Sequence, residues 1–323
     1  MHASDHQRLL VKISRLYYEQ EQTQSQISKR LHLSRQKVQR LLKEARQDGI
    51  VQLSIRPVMG VYDDLERALE ETYGLREGLV VEITDYQDHD LVTREIGPAA
   101  AELLIRILQD FDTLAISWGS SLLGMVNALY ASISRIDVSG TQIVQSLGGL
   151  GDPTNDTHAA ELTRRLANVL GGQGVLLPAP GIVGSQAAGE AFRTDPHVQH
   201  TLQTAASANI AFIGIGAPRQ DSILIQQGKI VKWEELKLLK KQGAVGDINL
   251  HYYDRDGRLI DSDIETRVIG LSLDEVRQID TVVGIAGGEA KFNAILGAVR
   301  GQVIDVLVTD HITAQKLLDD SAM

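Results

Sequence analysis

The 323-residue sequence contains no cysteine. Disulfide scaffolds, cysteine-based zinc sites and thiol nucleophiles are thereby excluded, and a cytoplasmic setting fits better than a secreted one. No run approaches the ~18 consecutive apolar residues that a membrane helix needs, and Met1 to Ile13 are too polar for a signal peptide, so no membrane partner is expected. A positive net charge is missing too. Lys and Arg number 32 against 42 Asp and Glu, giving −10, an average that argues against nucleic acid. Aromatic residues are scarce at 4%, yet 43% of the chain is hydrophobic. At roughly 100–200 residues per domain, the length suggests two or three folded units with ample core.

The average conceals an asymmetry. Residues 1–57 hold eleven basic and five acidic side chains, a net +6, which leaves 21 basic against 37 acidic, or −16, for residues 58–323. A small basic segment joined to a large acidic one suggests that the first touches an anion which the second avoids.

The basic segment carries the pattern of three short helices. Leu9, Leu10, Ile13, Leu16 and Tyr17 recur at helical spacing. Thr23-Gln24-Ser25-Gln26 matches a capping box, in which the Thr hydroxyl and the Gln amide each satisfy an orphan amide at a helix start; Ile27 and Leu31 supply that helix's inner face. A new start follows at Ser34, with Leu33 and Val38 spaced as a hydrophobic staple, and the third helix is expected to run to about Gln47 before Gly49. With Val38, Leu41, Leu42 and Ala45 inward, Arg35, Gln36, Lys37, Gln39, Arg40 and Lys43 face out. Arg and Gln carry the paired donors and acceptors that match guanine and adenine edges in the major groove, so this is a candidate recognition helix; Thr23, Gln24, Ser25 and Lys29 are the candidate phosphate contacts. Alternation in Ile50–Ile55 predicts a short strand and a winged variant. A merely solvated helix face is the plain alternative, and the short second helix, the restart at Ser34 and the basic excess weigh against it.

Residues 62–73 read as an amphipathic linker helix or dimer seam, with Leu65, Leu69 and Tyr73 on one stripe. From residue 78 onward, strand-like apolar runs (79–83, 113–117, 141–147, 175–177, 209–214, 248–253, 281–286 and 303–309) alternate with helical patterns (about 90–109, 120–131, 158–170, 197–207, 272–278, 289–298 and 311–319). This alternation predicts an α/β domain built on a mainly parallel sheet covered on both faces. Ligands in such sheets bind beyond the carboxyl ends of the strands, where the turns here are rich in Gly and small polar residues: 117–121, 148–151, 178–181, 214–216, 243–247 and 287–291. Backbone amides at helix N-termini suit phosphate or sugar oxygens, although glycine after a strand is also the ordinary means of turning. Arg219 stands where a dinucleotide fingerprint needs its third glycine, which argues against NAD.

Taken together, the segment Gln22 to Arg35, the run Gly243-Ala244-Val245-Gly246-Asp247 and the run Ala286-Gly287-Gly288-Glu289-Ala290-Lys291 resemble the SorC-type sugar-binding transcriptional regulators of bacteria over essentially the whole chain. The resemblance implies an effector domain related to sugar-phosphate isomerases and deaminases but used for sensing, a homodimer or homotetramer, and an operator complex that changes when a phosphorylated sugar binds. Carried over by position, Gly119, Ser120 and Ser121 lie in a phosphate-cradling turn, Gly148 and Gly149 in the next, Asp247 and Glu289 near sugar hydroxyls and Lys291 near the phosphate. Ser120 stands where some members carry a basic residue, and Leu147 where a lysine able to capture a sugar aldehyde would stand, so imine chemistry is not implied.

The leading expectation is therefore a regulator of a carbohydrate-utilisation operon with two parts: a helix-turn-helix domain over 1–57 that binds double-stranded operator DNA, and an effector-binding and oligomerisation domain over 58–323. No cofactor, metal or catalytic residue is expected. The rival is a sugar-phosphate isomerase or deaminase with Asp247 or Glu289 as general base, to which the basic segment would be superfluous. A third reading makes the large domain serve assembly alone.

Overall fold

Two stretches of the chain build separate cores, Met1–Val58 and Met59–Met323. The computed structural model describes residues 5–52, 62–131, 138, 140–150, 159–220, 222, 225 and 231–322. In the small unit, α1 (Asp5–Ser14) continues into a π-helical turn over Arg15–Glu19, followed by α2 (Gln24–Leu31) and α3 (Arg35–Gln47). Their apolar stripes meet: Leu10, Ile13 and Leu16 pack with Ile27, Val38, Leu41, Leu42 and Ala45 in one buried cluster.

Local capping sets the helix boundaries. Gln26 N donates to Thr23 Oγ1 (3.3 Å) while Thr23 N donates to Gln26 Oε1 (2.8 Å), closing the capping box. The chain then turns through His32 at φ 53°, and Ser28 Oγ donates to the Leu33 carbonyl (2.6 Å). Ser34 Oγ accepts from Lys37 N (3.2 Å) to start α3, which ends ahead of Gly49 at φ +71°. Ile50 to Gln52 are irregular and not the start of a strand, with Val51 N bonded to the Ala45 carbonyl (3.1 Å); the rest of the expected wing strand falls outside the described residues.

The large unit begins with α4 (Asp63–Tyr73) and is organised on nine described strands: β1 (Glu77–Val81), β2 (Thr113–Ile116), β3 (Gln142–Gln145), β4 (Gln173–Val175), β5 (Ile210–Gly214), β6 (Gly246–Ile248), β7 (His251–Tyr253), β8 (Thr281–Ile285) and β9 (Val306–Asp310). Seven form one sheet in the order β1-β9-β8-β5-β2-β3-β4, every neighbour parallel. Its two faces carry separate cores. On one, α5 (His89–Ile107), α6 (Ser120–Ala131) and α7 (Ala159–Leu170) contribute Ile96, Leu104, Leu122 and Leu166. On the other, Leu69 of α4 joins Val276, Ile295 and Leu317 from the helices over 273–277, 292–300 and 311–321. A parallel sheet covered on both faces is what near-continuous apolar strands require.

The expected strand over 248–253 is corrected. Instead of one strand of the main sheet, the chain forms an antiparallel hairpin, β6 to β7, turning through Asn249 (φ 52°) and Leu250 (φ 65°). Two successive left-handed residues make the tight turn that suits a twisted hairpin, and Leu250 N donates to Asp247 Oδ2 (3.3 Å) across it. Helices over Gln186–Thr194, Trp233–Lys241 and Asp263–Arg267 are additional to the sequence expectation.

The strand order fixes where a ligand can sit. β2 and β5 are neighbours, but the next strand of this sheet along the chain is β3, on one side, after β2 and β8, on the other, after β5 and the β6–β7 hairpin. Connections leave this point in opposite directions, opening a crevice beyond the carboxyl ends of β2 and β5.

Candidate functional site

Two turns flank that crevice, Ser117-Trp118-Gly119 after β2 and Gly214-Ile215-Gly216 after β5. Gly119 has φ +113°, a conformation that side-chain-bearing residues rarely adopt, and it delivers the chain directly into α6 at Ser120. The amides of that first turn have no carbonyl within the helix to bond, and no acidic residue lies among them. They form a patch of positive potential at the switch point.

The hairpin closes the crevice from the other side. Gly216 and Asp247 exchange backbone bonds (Gly216 N to Asp247 O 2.9 Å, Asp247 N to Gly216 O 3.1 Å), and a Cβ at 216 would collide with the Asp247 carboxylate. Asn249 pins the turn in place. Its Oδ1 accepts from Ser117 Oγ (2.7 Å) and Ser146 Oγ (3.4 Å) at the ends of β2 and β3, and its Nδ2 donates to the Leu271 carbonyl (3.4 Å). Asp247, only 4% exposed, is thus held rigidly beside the β2–β5 junction.

Lys291, at the end of a 3-10 turn over Glu289–Lys291, comes in from the β8 side. Its Nζ donates to Ser121 Oγ (3.3 Å) in the first turn of α6. Burial pushes the Asp247 carboxyl up to about 6 despite the Leu250 amide and the nearby Lys291 and His251, which pull it down. Desolvation likewise draws Lys291 down to about 8; Asp247 opposes that shift and Arg219 adds to it. A carboxylate and an ammonium are therefore held near each other at a cost, beside the N-terminal amides of α6.

Of the effector residues expected from the sequence, Gly119, Ser120, Ser121, Asp247 and Lys291 gather at this crevice. Glu289 is exposed on the neighbouring turn, with its amide bonded to the Tyr86 carbonyl (3.1 Å). Gly148 and Gly149 serve differently: their amides donate to Ile269 O and Ala179 O (2.9 Å each), so neither offers a donor to a ligand. A Cβ at 148 would stand 2.5 Å from the Pro180 carbonyl carbon, and close packing accounts for that glycine. Asn249 and His89, whose Nε2 lies 3.0 Å from Ser120 Oγ, were not anticipated, and Ser117 of the expected turn 117–121 is engaged by Asn249. Among the described residues no group of acidic or histidine side chains is arranged to hold a metal ion, and no helix is long and apolar enough to cross a membrane.

On the small unit Arg35, Gln36, Lys37, Gln39, Arg40 and Lys43 are all exposed on α3, and Thr23, Ser25 and Lys29 are exposed on α2 and its cap. Gln24 is half-buried. The arrangement is an open polar and basic face on a three-helix core, with nothing on it that the core requires.

Comparison with known proteins bears on both units. Residues 60–319 match a family described as "Putative sugar-binding domain", and residues 13–52 match one described as winged helix-turn-helix DNA-binding. The deoxyribonucleoside regulator of Bacillus subtilis is 32% identical over 314 residues, covering 97% of this chain and 98% of that protein. The sorbitol operon regulator of Klebsiella pneumoniae is 31% identical, covering 98% of this chain and 100% of that one. The crystal structure of full-length SorC from the same organism matches with a TM-score of 0.71 at 29% identity, over 98% of this chain and 100% of that chain.

Proposed function

The chain belongs to the SorC-type family of DNA-binding transcriptional regulators, and we propose that its large unit senses a sugar phosphate in the crevice between β2 and β5. The observation that carries this reading is the bond from Lys291 Nζ to Ser121 Oγ at the N-terminus of α6, with Asp247 held beside it. The helix amides, the Ser120 and Ser121 hydroxyls and the Lys291 ammonium receive the phosphate; Asp247 and the exposed Glu289 accept from sugar hydroxyls. The relatives named for sorbitol and for deoxyribonucleosides support an effector that carries sugar or polyol hydroxyls. Gly148 and Gly149 shape the pocket wall through packing.

On the DNA side, α3 lies in the major groove of an operator, with Arg35, Gln36, Gln39 and Arg40 toward base edges and Lys37, Lys43, Thr23, Gln24, Ser25 and Lys29 toward phosphates. Two or four copies related by two-fold axes read half-sites about one helical turn (~10 bp) apart or a multiple of it. Effector binding shifts the subunit arrangement, so effector and operator affinities are coupled reciprocally. A thermal-shift screen of the full chain against sugars and sugar phosphates tests the sensing: a phosphorylated sugar raises the melting temperature, and Lys291→Met abolishes the rise. A screen in which no sugar phosphate raises it refutes this reading.

A further inference from the structure

We propose that His89 contacts the effector and makes the pocket select an anionic, phosphate-bearing ligand over a neutral sugar; the inference rests on the reading of the α6 N-terminus as the phosphate subsite. His89 is the first residue of α5, directly after the cap Asp88, whose Oδ1 accepts from Asp90 N and Leu91 N (3.0 Å each). The α5 start is therefore already satisfied by a carboxylate. The α6 start, which the imidazole touches through Ser120 Oγ at 3.0 Å, has no acid in its first turn.

The geometry makes His89 and Lys291 a matched pair. Each bonds one of two consecutive serines, His89 to Ser120 and Lys291 to Ser121, and each arrives from a different segment of the chain. Between them stand the first-turn amides of α6. An imidazole, an ammonium and the helix amides thus converge on one point, and the first turn of α6 brings no acid to it. A phosphate monoester has three terminal oxygens and can accept from the imidazole, the ammonium and the amides at once, whereas one neutral hydroxyl can serve only one or two of these donors.

The ring is also fixed before any ligand arrives. α5 and α6 touch backbone to backbone, since a Cβ on Gly97 would lie 2.6 Å from the Gly124 carbonyl carbon and one on Gly124 would lie 2.6 Å from the Thr93 carbonyl oxygen. This crossing sets the two helix starts side by side, and His89, half-buried, is held against Ser120 while keeping some exposure toward solvent. A preorganised donor loses little entropy on binding, which is where its selectivity arises.

The test uses the full chain, with inorganic phosphate and glucose 6-phosphate as anionic probes and glucose as the neutral one, measured by calorimetry. His89→Ala is expected to weaken both anionic probes by about tenfold, the scale of one charge-assisted hydrogen bond, and to leave glucose binding, melting temperature and operator affinity unchanged. His89→Gln, which keeps a donor for Ser120 but not the ring, is expected to fall between, and it decides the matter should the alanine variant melt early. Wild-type affinity for phosphate in both variants, while Lys291→Met loses it, overturns the role of His89 and leaves the subsite standing. A wild-type chain that binds neither anionic probe overturns the subsite and this inference together.

Discussion

The outward residues of α3, from Arg35 to Lys43, stand on one helix whose opposite face closes a three-helix core, and all of them are exposed. The crevice groups of the large unit are arranged in the opposite way. Ser120 and Ser121, Asp247 and Lys291 come from three distant segments and converge only because the sheet places β2 beside β5 and Gly216 anchors the hairpin. Charges on the first unit stay in water and cost the fold little. Those on the second are withdrawn from water, and both titratable groups are shifted toward their neutral forms. A flat recognition surface can thus be changed without structural penalty, whereas a converging pocket is bound up with the stability of the sheet around it.

The sharpest way to break this comparison is through the backbone contact that holds the pocket together. Gly97→Val would force side-chain atoms into the Gly124 backbone at the α5–α6 crossing. The expected loss is more than about 3 kcal/mol in denaturant unfolding, whereas Lys43→Ala on α3 is expected to leave the midpoint unchanged. Equal midpoints for wild type and Gly97→Val would show that the two helix backbones do not meet there.

Second in size is the effect of charge burial. The folded pKa of Asp247 is raised from 3.8 to about 6, so the fold holds the proton more tightly than the unfolded chain does, and stability falls as pH rises from about 4 to about 6. Lys291, lowered from 10.5 to about 8, binds its proton less tightly in the fold, so stability rises again from about 8 to about 10.5. The unliganded chain is accordingly least stabilised by this pair between about pH 6 and 8. Asp247→Asn is expected to flatten the limb between pH 4 and 6, to lower the Lys291 pKa further by removing the charge that supports it, and to lose sugar-phosphate binding. Melting curves across pH in which wild type and Asp247→Asn run parallel would remove the claim that buried charge distinguishes the two units.

The same contrast governs what could be read before the fold was known. Both caps of the helix-turn-helix, Thr23 with Gln26 and Ser34 with the Lys37 amide, are bonds across three residues, and such signals are visible in a linear string. The strands of the parallel sheet announce themselves as apolar runs. The hairpin does not, because Ile248 and Leu250 on either side of Asn249 continue the apolar pattern while the backbone at 249 and 250 turns left-handed. His89 and Ser120 are 31 positions apart, and Ser117 and Asn249 are 132 apart, so no local spacing links them. Glycine is ambiguous in itself: Gly119 opens a helix start, whereas Gly148 permits close approach to Pro180, and both follow strands.

On the small unit the next largest effect falls on DNA and leaves stability alone. Arg35, exposed at the first turn of α3, is expected to lose about 10- to 100-fold in operator affinity on substitution by Ala, the range for one good base contact at about 1–3 kcal/mol. Lys43→Ala is expected to weaken operator and random DNA alike and to lower the salt slope by about one. Gel-shift titrations at several salt concentrations separate the two. Arg35→Ala weakening random DNA as much as operator would reassign that side chain to the phosphates.

The smallest effect concerns a carboxylate that the large unit hides for a structural purpose. β1 is an edge strand, and its outward amides would be open to another chain were they not occupied by side chains of α4: Glu66 Oε1 accepts from Val80 N (2.9 Å) and Glu70 Oε1 from Gly78 N (3.0 Å). Burial raises the Glu66 carboxyl above its usual range, against the pull of the Val80 amide, so ionisation is partly opposed and the acceptor is what matters. Gln offers a neutral carbonyl at the same position. Glu66→Gln is therefore expected to change stability by no more than about 0.5 kcal/mol at pH 7, since acceptor and edge protection are both kept. Glu66→Ala leaves the Val80 amide without that acceptor, and it is expected to cost about 1 kcal/mol and to promote self-association along β1, measured by denaturant unfolding and sedimentation. If Gln costs as much as Ala, the charge and not the acceptor protects the edge. A carboxylate stabilised there by its charge would behave like the exposed ions of the small unit, and the division between surface charge and buried charge would not hold at β1.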